Sequence, residues 1–93
     1  MEQPLNDEMT APEIEFETGA PKFRFEPNAL SEMWNHRYAL DDVKCCLRQW
    51  WRSPKHIVGA QRLQSPEAPL TVHLEYDPMF TPAIRVFYVG PSI

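Results

Sequence analysis

Apolar and polar positions alternate in two short segments of this chain, as they do in strands with one buried face. These are KFRFE, where Phe23 and Phe25 alternate with charged residues, and LTVHLEY, where every second residue from Leu70 is apolar. KHIVGAQRL is a further candidate strand. AIRVFYV is apolar on both faces apart from Arg85, so we expect it to be the most buried strand.

Between KFRFE and KHIVGAQRL the spacing of apolar residues changes to that of a helix. Leu30, Met33 and Trp34 are spaced as one face of a helix after Pro27. A second helical pattern consists of Leu40, Val43, Cys46, Leu47 and Trp50, and Ser53-Pro54 ends it. The predicted order is β-α-α-β-β-β. This is an α+β fold in which two N-terminal helices pack on a small, twisted antiparallel sheet.

Charge divides the 93 residues, whose net charge is −4, into two parts. Residues 1–21 hold six acidic residues, three prolines and no Lys or Arg. We expect a flexible acidic arm here, because too few apolar side chains are present to offset the entropy lost on ordering. Residues 22–93, with nine basic and seven acidic residues, form one predicted compact domain.

The two cysteines are adjacent in sequence. A disulfide between neighbouring residues is strained, so we expect Cys45 and Cys46 to be thiols, as is typical of reducing compartments. No targeting segment is recognisable, and no apolar run approaches the roughly 20 residues that a membrane helix needs. These features predict a cytoplasmic protein without a membrane partner.

A basic surface is predicted along and just beyond the second helix. Its residues are Lys44, Arg48, Arg52 and Lys55. Trp50 and Trp51 cannot both face one core from adjacent helical positions, so one of them is expected near this surface. Such a surface suits a protein partner, and beside an exposed Trp it also suits RNA. The acidic arm is able to cover the same basic residues in cis.

Sequence motifs for cofactors and metals are absent. There is no P-loop, no GxGxxG, no GxSxG and no CxxC. His36, His56 and His73 do not have the spacing of metal ligands, and no Cys or Asp cluster accompanies them. We therefore predict neither a metal nor a cofactor.

Two segments carry a resemblance to a known family. FEPNALSEMWNHRYALDDV resembles the opening of the BrnT family of small RelE-like ribonuclease toxins: Pro27 and His36 match the family's Pro and His, while Phe25 stands for its Trp and Glu26 for its Asp. ALSEMWNHRYALDDVKCCLRQWWRSP resembles the related short domain DUF4258, with matches at Arg37, Asp42, Val43 and Pro54. AIRVFYVGPS is similar to the last strand of the family. The similarity covers residues 23–54 and 83–92 and implies a RelE-like fold.

Several cationic positions of that family are missing here. Ala29 stands where the family has a Lys. Asn35 replaces the Lys of the family's Lys-His-Gly motif, and Gly90 lies near the position of the family's final Arg. RNA cleavage of this type needs a group that activates the ribose 2′-hydroxyl and cations that stabilise charge on the phosphate. The missing cationic residues therefore favour a protein that keeps the family's scaffold without its ribonuclease activity.

Two functions remain open. The main expectation is a small protein-binding inhibitor or adaptor of the anti-defence kind that phages and mobile elements encode, acting in the host cytoplasm. The alternative is a metal-independent endoribonuclease, the toxin of a toxin–antitoxin pair that cleaves mRNA. In that case the resemblance implies a catalytic group made of His36, Arg37, Arg85 and Tyr88.

Overall fold

The computed structural model describes residues 13–54, 56–65 and 69–91. Its elements are β1 (Phe23–Phe25), α1 (Pro27–His36), α2 (Leu40–Arg52), β2 (Gly59–Gln64), β3 (Leu70–Tyr76) and β4 (Ile84–Pro91). The predicted α+β class and the predicted order of elements are confirmed. KHIVGAQRL is a strand only from Gly59, whose φ of 120° is a conformation that glycine adopts without strain.

The four strands form one sheet in the order β1-β4-β3-β2. β2 pairs with β3, and β3 with β4, in antiparallel orientation, whereas β1 is parallel to β4. The sheet is therefore mixed and not antiparallel throughout. Short connections force β2, β3 and β4 to alternate in direction, whereas the long connection between β1 and β4 allows a parallel pair. In that pair Phe23 lies opposite Ile84 and Phe25 opposite Val86, and all four are buried.

The core lies between the helices and one face of the sheet. α2 buries Val43, Cys46, Leu47 and Trp50, as its apolar spacing predicts. The sheet residues in the same cluster include Leu70, Val72, Leu74, Ile84, Val86 and Val89. Asp41 and Asp42 in the first turn of α2 and Arg52 in its last turn complement the helix dipole.

α1 packs chiefly against β4, and Ala29 is the residue that it buries completely. Leu30, Met33 and Trp34 line one groove, as their predicted common face implies, but this face is not fully buried, because the side chain of Trp34 is 84% exposed. Successive residues turn by about 100° around a helix, so a contact face that contains Ala29 and Met33 leaves Trp34 to one side. Arg37 caps the C-terminus of α1: its φ is 60°, and its N–H bonds back to carbonyl groups of the last turn.

β4 is a central strand, but it is not buried on both faces as predicted. A register shift in its pairing with β3 marks a bulge: Val86 pairs with Leu74, and Tyr88 pairs with His73. Phe87 is the extra residue, so it lies with Tyr88 on the sheet face opposite the core. Phe87 is 39% exposed there, since the helices cover the other face.

Part of the predicted acidic arm is built into the domain. Ile14 forms an antiparallel bridge with Phe23, and both N–H to O=C distances are 2.9 Å. Phe16 is 3% exposed, and its ring lies edge-on to that of Phe23 at a centroid distance of 6.1 Å. The domain boundary predicted at residue 22 is therefore corrected to include this segment, because one buried aromatic ring offsets much of the ordering cost. Residues 1–12 of the predicted arm lie outside the described residues.

Candidate functional site

The four residues expected to act in RNA cleavage lie on two elements. His36 is exposed at the end of α1, with its Nε2 3.2 Å from Oε1 of Glu32. Arg37 follows it and makes no ion pair with any described residue. Arg85 and Tyr88 lie on the open face of β4. Among the described contacts, none joins His36 or Arg37 directly to Arg85.

Arg85 is engaged by its neighbours in the sheet. Its Nη2 lies 2.9 Å from Oε1 of Glu75, which is opposite it on β3. Its guanidinium carbon is 4.9 Å from the ring centre of Phe80 and 5.9 Å from that of Phe87. The carboxylate balances the charge of the guanidinium, so this Arg is better suited to holding the sheet and the loop between β3 and β4 together than to binding a phosphate.

Tyr88 belongs to one of two ring pairs that the sequence did not reveal, His73 with Tyr88 and His36 with Tyr38. Its ring lies 4.9 Å from that of His73 and also covers Gly90, where a Cβ atom would collide with it. Burial raises the pKa of Tyr38, and the nearby Tyr88 raises it further. The ring of Tyr38 is in turn 5.7 Å from that of His36. The sheet register and the turn after α1 bring these side chains together, and neither is visible in local spacing.

Trp50 and Trp51 do not form the exposed pair that a contact surface requires. Trp50 is 5% exposed, and its Nε1 donates to the side-chain oxygen of Gln61. Trp51 is partly buried and stacks on His56 with ring centroids 4.4 Å apart. Both indoles also meet Tyr76 edge-on. The predicted role of Trp50 in partner binding is therefore corrected: β3 and the segment after α2 cover it.

The arm lies against the basic residues of α2. Nη1 of Arg48 donates to the carbonyl oxygen of Phe16 at 3.1 Å. Nε and Nη2 of Arg52 lie 2.7 and 2.6 Å from Oε1 of Glu17. The other two residues of the predicted basic surface are Lys44, which is half-buried, and Lys55, which lies outside the described residues. Two of these four cations are thus occupied by the arm of the same chain.

A groove beside α1 is the exposed apolar feature that the sequence did not predict. It has a volume of about 520 Å³ and is lined by Leu30, Met33, Trp34, Arg37, Tyr38 and Leu40. We call it the α1 groove. Trp34 is 84% exposed and Leu40 38% exposed. The sequence did contain an indication of this groove, because the apolar residues of α1 extend around more of the helix circumference than one packed strand can cover.

The two cysteines are free thiols. Burial raises the pKa of Cys46, and a hydrogen bond with Ser65 acts in the opposite direction. The raised pKa keeps this thiol protonated at neutral pH, which suits a packing residue and not a nucleophile. Within residues 13–54, 56–65 and 69–91, no three His, Cys, Asp or Glu side chains are grouped as metal ligands.

Comparison with protein-family models, with curated proteins and with solved structures finds no match to this chain. The described part of the chain contains no helix with the length and apolarity needed to cross a membrane. The resemblance to the BrnT family remains a hypothesis. Function is therefore inferred from the surface that the fold presents.

Proposed function

We propose that this chain is a small protein-binding inhibitor or adaptor that contacts its partner through the α1 groove. The observation that supports this proposal is Trp34, 84% exposed above a groove that Leu30, Met33 and Leu40 help to line. Large apolar side chains exposed together are characteristic of recognition surfaces, and Trp is among the residues that contribute most binding energy there.

The chemistry of the α1 groove defines the kind of partner. Its lining is apolar apart from Tyr38 and Arg37, and no described carboxylate pairs with the Arg37 guanidinium. The proposed occupant is a partner protein that presents the apolar face of a helix with a carboxylate next to Arg37.

The biological setting belongs to the same proposal. A BrnT-like scaffold without its cationic positions fits a role in which a phage or mobile element inhibits a host defence protein. Free thiols at Cys45 and Cys46 support the expected location in the cytoplasm, because reducing compartments keep such residues unpaired.

The test compares two exposed apolar residues. Trp34 and Met79 are 84% and 87% exposed, but only Trp34 lines the α1 groove. Partners captured by the wild-type protein are identified, purified and titrated against Trp34→Ala and Met79→Ala. We expect Trp34→Ala to weaken binding by about 30-fold or more and Met79→Ala to leave it unchanged. A partner that binds both variants like the wild type would contradict the proposal.

Cleavage of RNA is the second candidate function. The ring pairs His36–Tyr38 and His73–Tyr88 support it, because imidazole and phenol groups act as general acids and bases. Arg37 beside His36 is a cation without an ion-pair partner among the described residues. The ion pair of Arg85 with Glu75 counts against the role that the resemblance implies for Arg85.

Expression of the untagged protein in a bacterial host separates the two candidates. Growth arrest with discrete mRNA cleavage, abolished by His36→Ala, would support the enzyme. Normal growth with intact RNA would support the binding protein.

A further inference from the structure

The two outer strands of the sheet differ in what lies beside them. The free edge of β1 is met by Ile14, which forms a bridge with Phe23. β2 is the other outer strand, and no described residue pairs with its free edge. An uncovered edge is a template on which another extended chain can add.

The hydrogen-bond pattern shows which backbone groups of β2 face outward. The N–H of Ser65 donates to the carbonyl of Leu70 at 2.9 Å, so these two residues form a hydrogen-bonded pair of the β2–β3 ladder. Such pairs alternate along an antiparallel ladder. The N–H and C=O groups of Ala60, Arg62 and Gln64 therefore point away from β3.

A second groove runs beside this edge, between α2 and β2. It has a volume of about 680 Å³, and its lining includes Cys46 and Trp50 from α2 and Gln61 and Leu63 from β2. Ile57 also lines it and is 63% exposed. The lining contains no carboxylate, and Arg62 is its one charged residue within the described part of the chain.

One side chain joins the two sides of this groove. The side-chain oxygen of Gln61 accepts a hydrogen bond from Trp50, and its amide group donates to the carbonyl of Ile57. These contacts fix Gln61, Trp50 and Ile57 relative to one another before any ligand arrives, which reduces the entropic cost of binding.

We propose that the β2 edge binds an extended peptide segment of a partner protein, which adds to the sheet as a fifth strand. The outward groups of Ala60, Arg62 and Gln64 supply backbone hydrogen bonds. Alternate side chains of the peptide enter the groove, where apolar residues fit beside Leu63 and Trp50. The peptide residue opposite Arg62 is acidic, because Arg62 has no ion-pair partner among the described residues. This surface is separate from the α1 groove.

A second copy of this chain is a poorer occupant than a foreign peptide. The antiparallel register that uses all three outward residues places Arg62 directly opposite Arg62 of the other copy. Like charges in that position are destabilising, and charged side chains on outer strands are a common protection against self-pairing. The same Arg attracts a carboxylate, so its charge selects a foreign acidic strand.

The test titrates isotope-labelled protein with two acetylated and amidated peptides, Ser-Thr-Val-Glu-Val-Thr-Ser and the version with Lys in place of Glu. We expect the Glu peptide to shift the NMR amide signals of Ala60, Arg62 and Gln64 and to bind about fivefold more tightly than the Lys peptide. Arg62→Glu should reverse that preference. Arg24→Glu, on the other outer strand, should keep it.

A backbone variant provides a second readout. Gln64→Pro removes one outward N–H, which an outer strand tolerates, so we expect an unchanged Tm and weaker binding of the Glu peptide. Trp34→Ala should bind the peptide normally, which separates this proposal from that for the α1 groove. Signal shifts confined to other surfaces, or equal affinity for both peptides in every variant, would overturn it. So would a concentration-dependent dimer that Gln64→Pro abolishes, since the occupant would then be a second copy.

Discussion

α1 and α2 are both amphipathic and follow each other in sequence, yet their surroundings differ. α2 places Leu47 and Trp50 in the core, while the arm accepts hydrogen bonds from Arg48 and Arg52 beside it. α1 buries Ala29 against β4 and leaves Trp34 in the open. The comparison teaches that helical spacing identifies an apolar stripe, but the width of the neighbouring surface decides how much of that stripe is buried.

The largest expected difference lies between the two tryptophans. Trp50→Ala should lower the free energy of unfolding by about 3–5 kcal/mol, because a large cavity remains in the core. Trp34→Ala should change it by no more than about 0.5 kcal/mol, as is usual for an exposed residue. Urea denaturation of both variants measures the difference. Equal losses of stability would show that α1 is as well covered as α2.

The next effect tests whether the arm is part of the fold around α2. Phe16→Ala should destabilise the domain by about 3 kcal/mol, because the ring is buried against Phe23. Phe80→Ala is the matched control, since Phe80 is 53% exposed. We expect a smaller loss there in the same denaturation assay. If Phe16→Ala lowered the stability no more than the control does, the arm would not contribute to the stability of the folded domain.

A smaller effect is expected where the arm meets the basic side of α2. Glu17→Gln removes the ion pair with Arg52, whose side chain is 68% exposed, so stability should fall by only about 0.2–1 kcal/mol. Added salt should diminish this difference, because solvent ions screen exposed charges. Glu15→Gln, at an exposed position, serves as the control. A loss that high salt leaves unchanged would argue against a surface ion pair.

The smallest effect concerns reactivity. Cys45 is half-buried, whereas Cys46 is 2% exposed and burial raises its pKa. The thiolate is the reactive form, so at pH 8 Cys46 should be alkylated more slowly than Cys45, and its rate should rise only at higher pH. Mass spectrometry after timed alkylation of the native protein measures both rates. Faster reaction at Cys46 would mean that the core face of α2 opens readily.

The fold class was predictable because its signals are local. The period of Leu70, Val72 and Leu74 indicates a strand, and that of Val43, Leu47 and Trp50 indicates a helix, without knowledge of any neighbour. The candidate site was predictable only in part. The spacing of Trp34 from Leu30 assigns it to the apolar face of a helix, but its exposure depends on the position of β4 relative to α1, which that spacing does not encode.

Two further differences have the same origin. Phe16 was assigned to a flexible segment because the composition around it is acidic and rich in proline. Only contact with Phe23, together with donors from Arg48 and Arg52, makes its ordering favourable. The ring pair of His73 and Tyr88 likewise depends on distant segments meeting, and no local pattern encodes such a meeting.

The sequence by itself determined the elements of this protein: their types, their order and the residues of α2 that face the core. Those properties follow from backbone periods of 3.6 and 2 residues, which act over one turn or one strand. The tertiary structure alone decided the parallel pairing of β1, the exposure of Trp34, the ion pair of Arg52 with Glu17 and the edge of β2 that no described residue pairs with. Each of these depends on which distant surfaces meet, because burial and hydrogen bonding are satisfied by the whole chain and not by any one segment.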